Sequence, residues 1–156
     1  MKQKTFVLSV AKHFPQDHPR AGQPTDFRPR IIDAAGYTCL GPTKLHTARG
    51  NYEFWANRIN EINKGRGVLS LRQWTGKPYA TPQKEFLQLT EVGIQKIEIT
   101  SLIKHKKPRP FVYVDGKQVD LDTFACNDGF DHTQDLLDWF PSQFSGALIH
   151  FTNFKY

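Results

Sequence analysis

A chain of 156 residues can bury most of its surface around one core, and two domains of that total length would each be unusually thin. With 38% apolar residues and twelve Phe it is too hydrophobic to remain disordered, and two cysteines in neither a CxxC nor a zinc-ligand spacing exclude a disulfide framework. The net charge of +6 favours polyanionic partners without naming one, and a basic surface kept for solubility has the same charge.

In chain order, Thr5 to Val10 (TFVLSV) reads as a first strand, short, β-branched and aromatic. The apolar run ends at Ala11, too short for a signal-peptide core or a membrane span, so the expectation is a cytoplasmic protein with no membrane partner. His13 to Pro24 is a loop. Residues 25–35 predict a short helix closed by Gly36, starting at Thr25 or at Arg28 with Pro29 in the first helical position. Asn51 is an N-cap for a helix whose stripe of Tyr52, Trp55, Ile59 and Ile62 runs to Lys64-Gly65. Val68 to Trp74 and Glu85 to Leu89 read as paired strands around the Thr75–Pro78 turn, and Ile94, Ile97 and Ile99 mark another strand, half exposed.

Lys104 to Pro110 (KHKKPRP) is a basic loop, and Asp115-Gly116 sits where a type I′ hairpin over residues 112–119 demands it. Asp131 and Gln134 have capping-box spacing before a short helix that ends near Trp139 and stops at Pro141. Gly146 to Phe154 is the final strand. The strand-rich order predicts an α+β chain, a single domain over residues 1–156 with a loop insertion near 101–122.

The chemistry concentrates in Lys44-Leu-His46-Thr47-Ala-Arg49, which places an amine, an imidazole, a hydroxyl and a guanidinium within six residues. In a regular strand Leu45, Thr47 and Arg49 share one face and Lys44 and His46 the other, so Lys44 meets Thr47 only from a bend at the strand's start. An edge strand with solvated polar side chains would have the same spacing.

Lys44, Thr47 and Arg49 match the KxxTxR pattern of ASCH-domain proteins, which the chain resembles from about Thr5 onward. The Gly67 to Trp74 strand that follows, and the ending Asn127-Asp128-Gly129-Phe130, Asp138-Trp139-Phe140 and Ile149-His150-Phe151-Thr152, are similar as well. The resemblance implies a small mixed β-barrel of ASCH or PUA-like type with two to three flanking helices. It extends to the small bacterial N(4)-acetylcytidine amidohydrolases, and so implies a nucleoside or RNA partner, or DNA, and a metal-independent reaction without cofactor.

Carried over from those enzymes, Lys44, Thr47 and Asp128 form the catalytic set, although Asp128 stands where they have Glu. An amine whose pKa is lowered by burial and a neighbouring Arg can activate a Thr hydroxyl or water against an amide carbonyl, and Asp128 can protonate the leaving nitrogen. His46 and Arg49 are the nearest candidates for substrate binding. Trp74 could stack on a base and Arg72 pair with a phosphate or base edge, unless Trp74 merely packs. His18 and Arg20 could reach a phosphate or base from their loop, unless its Pro and Gly only shape a connection. KHKKPRP is either a phosphate-tracking arm or a solvated loop. Cys126 reads as an inert thiol. A catalytic account requires Lys44, Thr47 and Asp128 to converge; splayed on separate surfaces they would carry none.

Overall fold

A computed structural model describes residues 2–36, 42–100 and 109–156. In chain order the elements are β1 (Lys4–Ser9), α1 (Phe27–Ala34), β2 (His46–Arg49), α2 (Tyr52–Asn63), β3 (Gly67–Trp74) and β4 (Gln83–Leu89). They continue with β5 (Gly93–Ile99), β6 (Val112–Val114), β7 (Lys117–Val119), α3 (Leu121–Asn127), α4 (Thr133–Trp139) and β8 (Phe144–His150).

The architecture is mixed α+β with two sheets. One has the order β1-β3-β4, with β1 parallel to β3, and the other is antiparallel with the order β2-β8-β5-β6-β7. No ladder of hydrogen bonds closes the two sheets into a barrel among the described residues. The parallel β1–β3 pair needs a long crossover, and α1, β2 and α2 supply it. Along the way β2 leaves to become the edge of the second sheet, and this places its side chains between the two.

One apolar cluster serves both sheets and all four helices, joining Leu8, Ile31, Ile59, Leu69, Ile97, Phe124, Leu136 and Leu148. The α2 stripe buries Trp55, Ile59 and Ile62 as its spacing requires, and the Asn51 side chain accepts from Phe54 N at 3.2 Å. Each large aliphatic side chain taken from water contributes about 1.5–3 kcal/mol. The 112–119 hairpin forms with both turn residues at positive φ, 48° at Asp115 and 78° at Gly116, as a type I′ turn requires.

Four local expectations need correction. Helix α1 starts at Phe27 rather than Thr25 or Arg28; Pro29 then falls third, still within the first turn, where a missing N–H is harmless. The capping box at Asp131 and Gln134 does not form: His132 is the N-cap, Asp131 pairs with Arg30 at 2.9 Å, and Gln134 donates to Asp138. Strand β8 spans Phe144–His150 and gives way to bends instead of reaching Phe154. Helix α3 was unexpected, and it is capped by the Asp120 carboxylate, which accepts from Thr123 N at 2.9 Å. Most of KHKKPRP lies outside the described residues, as does Cys39, while Arg109 is described and pairs with Asp122. Among the described residues no helix is long and apolar enough to cross a membrane.

Candidate functional site

Lys44 stands just before β2, where the chain has left ladder geometry. Its N–H donates to Arg30 O in the middle of α1, and Leu45 N donates to Asn127 O at the end of α3 at 2.7 Å. Lys44 lies outside the β2 ladder, so the alternation that governs His46 and Thr47 does not bind it. The Lys44 stem passes directly over Gly129, which has φ +92°; a Cβ there would lie 2.9 Å from Lys44 Cβ. Arg30 fixes the same loop, donating to Gly129 O and pairing with Asp131.

At the end of that stem, Lys44 Nζ donates to the backbone O of Asp128 and lies 3.3 Å from its Oδ1. The ammonium also sits 4.2 Å from the centroid of the Phe27 ring. Lys44 is 2% exposed and Asp128 3%, so neither charge is relieved by water. Burial is the main cause that lowers the Lys44 pKa from 10.5; Arg49 and Arg30 push the same way, and Asp128 opposes them.

Lys44, Thr47, Arg49 and Asp128 line one cavity of about 30 Å³, with Trp139 and Phe140 also in its wall. That volume holds a water molecule or a small acyl head, not a base ring. The Thr47 hydroxyl has no hydrogen-bond partner among the described residues. Arg49 donates through Nη2 to Ser9 O at 2.7 Å, and its buried Nε has no partner among the described residues. The cavity therefore offers a free hydroxyl, an amine of lowered proton affinity and a guanidinium within one wall of side chains.

His46 does not line this cavity. It is fully buried behind Asp128, with Nδ1 3.0 Å from Asp128 Oδ1 and Nε2 2.7 Å from the Tyr156 hydroxyl. Burial lowers its pKa, with Lys44 adding to the effect and Asp128 opposing it. Lys44 Nζ and His46 Nδ1 thus both converge on Asp128 Oδ1.

The remaining candidates stand apart. His18 is 3% exposed; its Nε2 faces Asp135 O at 3.0 Å and its Nδ1 accepts from Arg20 N. Arg20 pairs with Asp135 at 2.7 Å and lies over the Phe14 ring, so both side chains brace their loop against α4. Arg72 donates to Ser70 Oγ within the three-stranded sheet, and Trp74 packs 5.0 Å from Tyr79. Neither lines the cavity. Cys126 is exposed at the end of α3.

Tyr156 and Arg30 reach the site without any signal in the sequence, because each depends on contacts between distant segments, and Asn127 was visible only as part of the run that ends in Phe130. Trp139 and Phe140 were legible only as a terminal aromatic pair. Among the described residues no three His, Cys, Asp or Glu side chains group so as to hold a metal ion. Comparison with known proteins finds no relative: no family model, no curated protein and no solved structure matches the chain.

Proposed function

We propose that this protein hydrolyses the amide of an acylated exocyclic amine on a nucleobase, with N(4)-acetylcytidine, free or within RNA, as the concrete substrate. The observation that carries the reading is the convergence of Lys44, Thr47 and Arg49, from one short segment, with Asp128, from the end of α3, on one small cavity. On this reading the three- and five-stranded sheets are the two halves of an ASCH or PUA-like barrel.

The acyl head enters the cavity and the base ring stays at its mouth against Trp139 and Phe140, since about 30 Å³ excludes a ring. Lys44, as the amine, takes the proton from Thr47 Oγ while that oxygen bonds to the acyl carbon. The guanidinium of Arg49 offsets the charge that develops on the carbonyl oxygen. Lys44 then returns the proton to the exocyclic nitrogen as the C–N bond breaks, and cytidine leaves. Water, deprotonated by Lys44, attacks the Thr47 ester, and acetate departs as the hydroxyl regains its proton.

The test is release of cytidine and acetate from N(4)-acetylcytidine by wild type, Thr47→Ala and Lys44→Ala. Turnover abolished by both substitutions supports the reading. No turnover, or turnover indifferent to both, removes it and leaves a non-catalytic RNA- or DNA-binding module, which titration with single-stranded and duplex RNA at two salt concentrations would then probe. The placement of Arg72 and Trp74 away from the cavity favours the hydrolase.

A further inference from the structure

We propose that His46 and Tyr156 are a positioning pair, which holds one oxygen of Asp128 through His46 Nδ1–H and so presents the other, Oδ2, to the cavity. The role of Oδ2 there rests on the hydrolase reading; the arrangement of the pair does not.

The direction of each hydrogen bond follows from counting protons. Asp128 Oδ1 faces Lys44 Nζ at 3.3 Å and His46 Nδ1 at 3.0 Å. A carboxylate has no proton to give, so the hydrogen in the second contact belongs to Nδ1. A neutral imidazole then has a bare Nε2 that must accept, and the group 2.7 Å away is the Tyr156 hydroxyl. Donating there uses the hydroxyl's one hydrogen. Its oxygen is left to accept from Asn127 Nδ2 at 3.0 Å, the only role an amide nitrogen permits. The opposite tautomer would set the Nδ1 lone pair against the carboxylate lone pairs at 3.0 Å.

The chain of donors thus runs from Asn127 through Tyr156 and His46 to Asp128, beginning and ending on neighbouring residues at the end of α3. It is a closed clamp between that helix end and β2, and the imidazole is further fixed by the Phe124 ring at 4.9 Å and the His150 ring at 5.5 Å. Free to rotate, the carboxylate could turn both oxygens to Lys44 and hold its proton. With Oδ1 shared between two donors, Oδ2 has no hydrogen bond among the described residues, and Asp128 is one of the residues that line the cavity. There it accepts the N–H of the substrate amide, aligning the acyl carbon with Thr47.

The pair is tested on the whole protein by two-bond nitrogen–proton NMR of the histidine rings and by kinetics of four variants. Wild-type His46 is expected as the Nδ1–H tautomer. His46→Leu should lower kcat about 10- to 100-fold with a much smaller change in KM. His46→Asn, whose amide nitrogen can occupy the Nδ1 position, should recover most of that loss, and Tyr156→Phe should fall between. Thr47→Ala, inactive in the proposed reaction, must leave the tautomer unchanged. An Nε2–H tautomer, wild-type kcat in His46→Leu, or a folded His46→Asn no better than His46→Leu would overturn the proposal. If wild type does not turn over at all, the tautomer still decides the clamp, and the failure belongs to the proposed reaction.

Discussion

Replacing Asp128 by Asn removes one charge from the buried pair and almost no volume. At 3.3 Å the attraction between Lys44 and Asp128 is about 5 kcal/mol for an effective dielectric of 20. Desolvation costs several kcal/mol per ion, so the intact pair contributes little net stability. Losing only the carboxylate is different: the ammonium then stands in a closed site with Arg49 and Arg30 nearby. The expected loss is about 3 kcal/mol at pH 7, at the low end for broken buried pairs because Lys44 keeps the Asp128 carbonyl and can shed its proton. A chain of this length would then melt about 6–12 °C lower. Urea unfolding followed by tryptophan fluorescence measures the difference, and the loss should shrink as pH rises, since a neutral Lys44 no longer needs the carboxylate. A loss below about 1 kcal/mol, the worth of a solvated ion pair, or a loss independent of pH would refute the buried pair.

Thr47→Val should change stability by less than about 1 kcal/mol, because the hydroxyl has no partner among the described residues to lose, while turnover of N(4)-acetylcytidine disappears; a large loss of stability would show a hidden structural bond. Gly129→Ala should cost about 3 kcal/mol by chemical denaturation, combining a left-handed φ of +92° with a Cβ driven into the Lys44 stem, and activity should fall with it. The His150 pKa drops from 6.5 to about 4, chiefly by burial, which corresponds to about 3 kcal/mol. The fold prefers the neutral ring, so this stability is complete above pH 6.5 and is lost as pH falls through 4. His150→Gln should flatten the acid limb of the unfolding free energy between those values, and an unchanged limb would count against the assignment.

Elements that rest on local chemistry were legible in the sequence. Asn51 and the α2 stripe, the Asp115-Gly116 turn and the β3–β4 pair announce themselves through spacing a few residues long. Helix α3 escaped because its cap, Asp120, follows directly on a hairpin and its seven residues are too few for a periodic pattern to stand out. The capping box failed for a tertiary reason, since the Asp131 carboxylate is claimed by Arg30, about a hundred residues away in sequence. The same holds at the site. The short Lys44–Arg49 segment was visible as a motif, whereas Tyr156 and Arg30 meet it only through folding, and His46 looked like a ligand-binding group until its two nitrogens were accounted for.

Stability alone gives no reason to bury this cluster. Lys44, His46 and Asp128 are each at most 3% exposed, and a buried ion pair exchanged for well-packed apolar residues is often neutral or stabilising. A purely structural network would also tend to satisfy every polar atom, because an unpaired one costs about 1–3 kcal/mol. Here satisfaction is uneven in a particular way. The atoms facing the interior, Asp128 Oδ1, both His46 nitrogens and the Tyr156 hydroxyl, are all bonded. Among the described residues Thr47 Oγ and Asp128 Oδ2, on two residues of the cavity wall, have no hydrogen bond, and the buried atoms without a partner are Arg49 Nε, on the same wall, and His150 Nδ1, behind it. Burial and hydrogen bonding are thus denser around His46 and Asp128 than along the cavity wall, where polar atoms remain for a substrate to partner, and a solvated edge strand does not explain that burial.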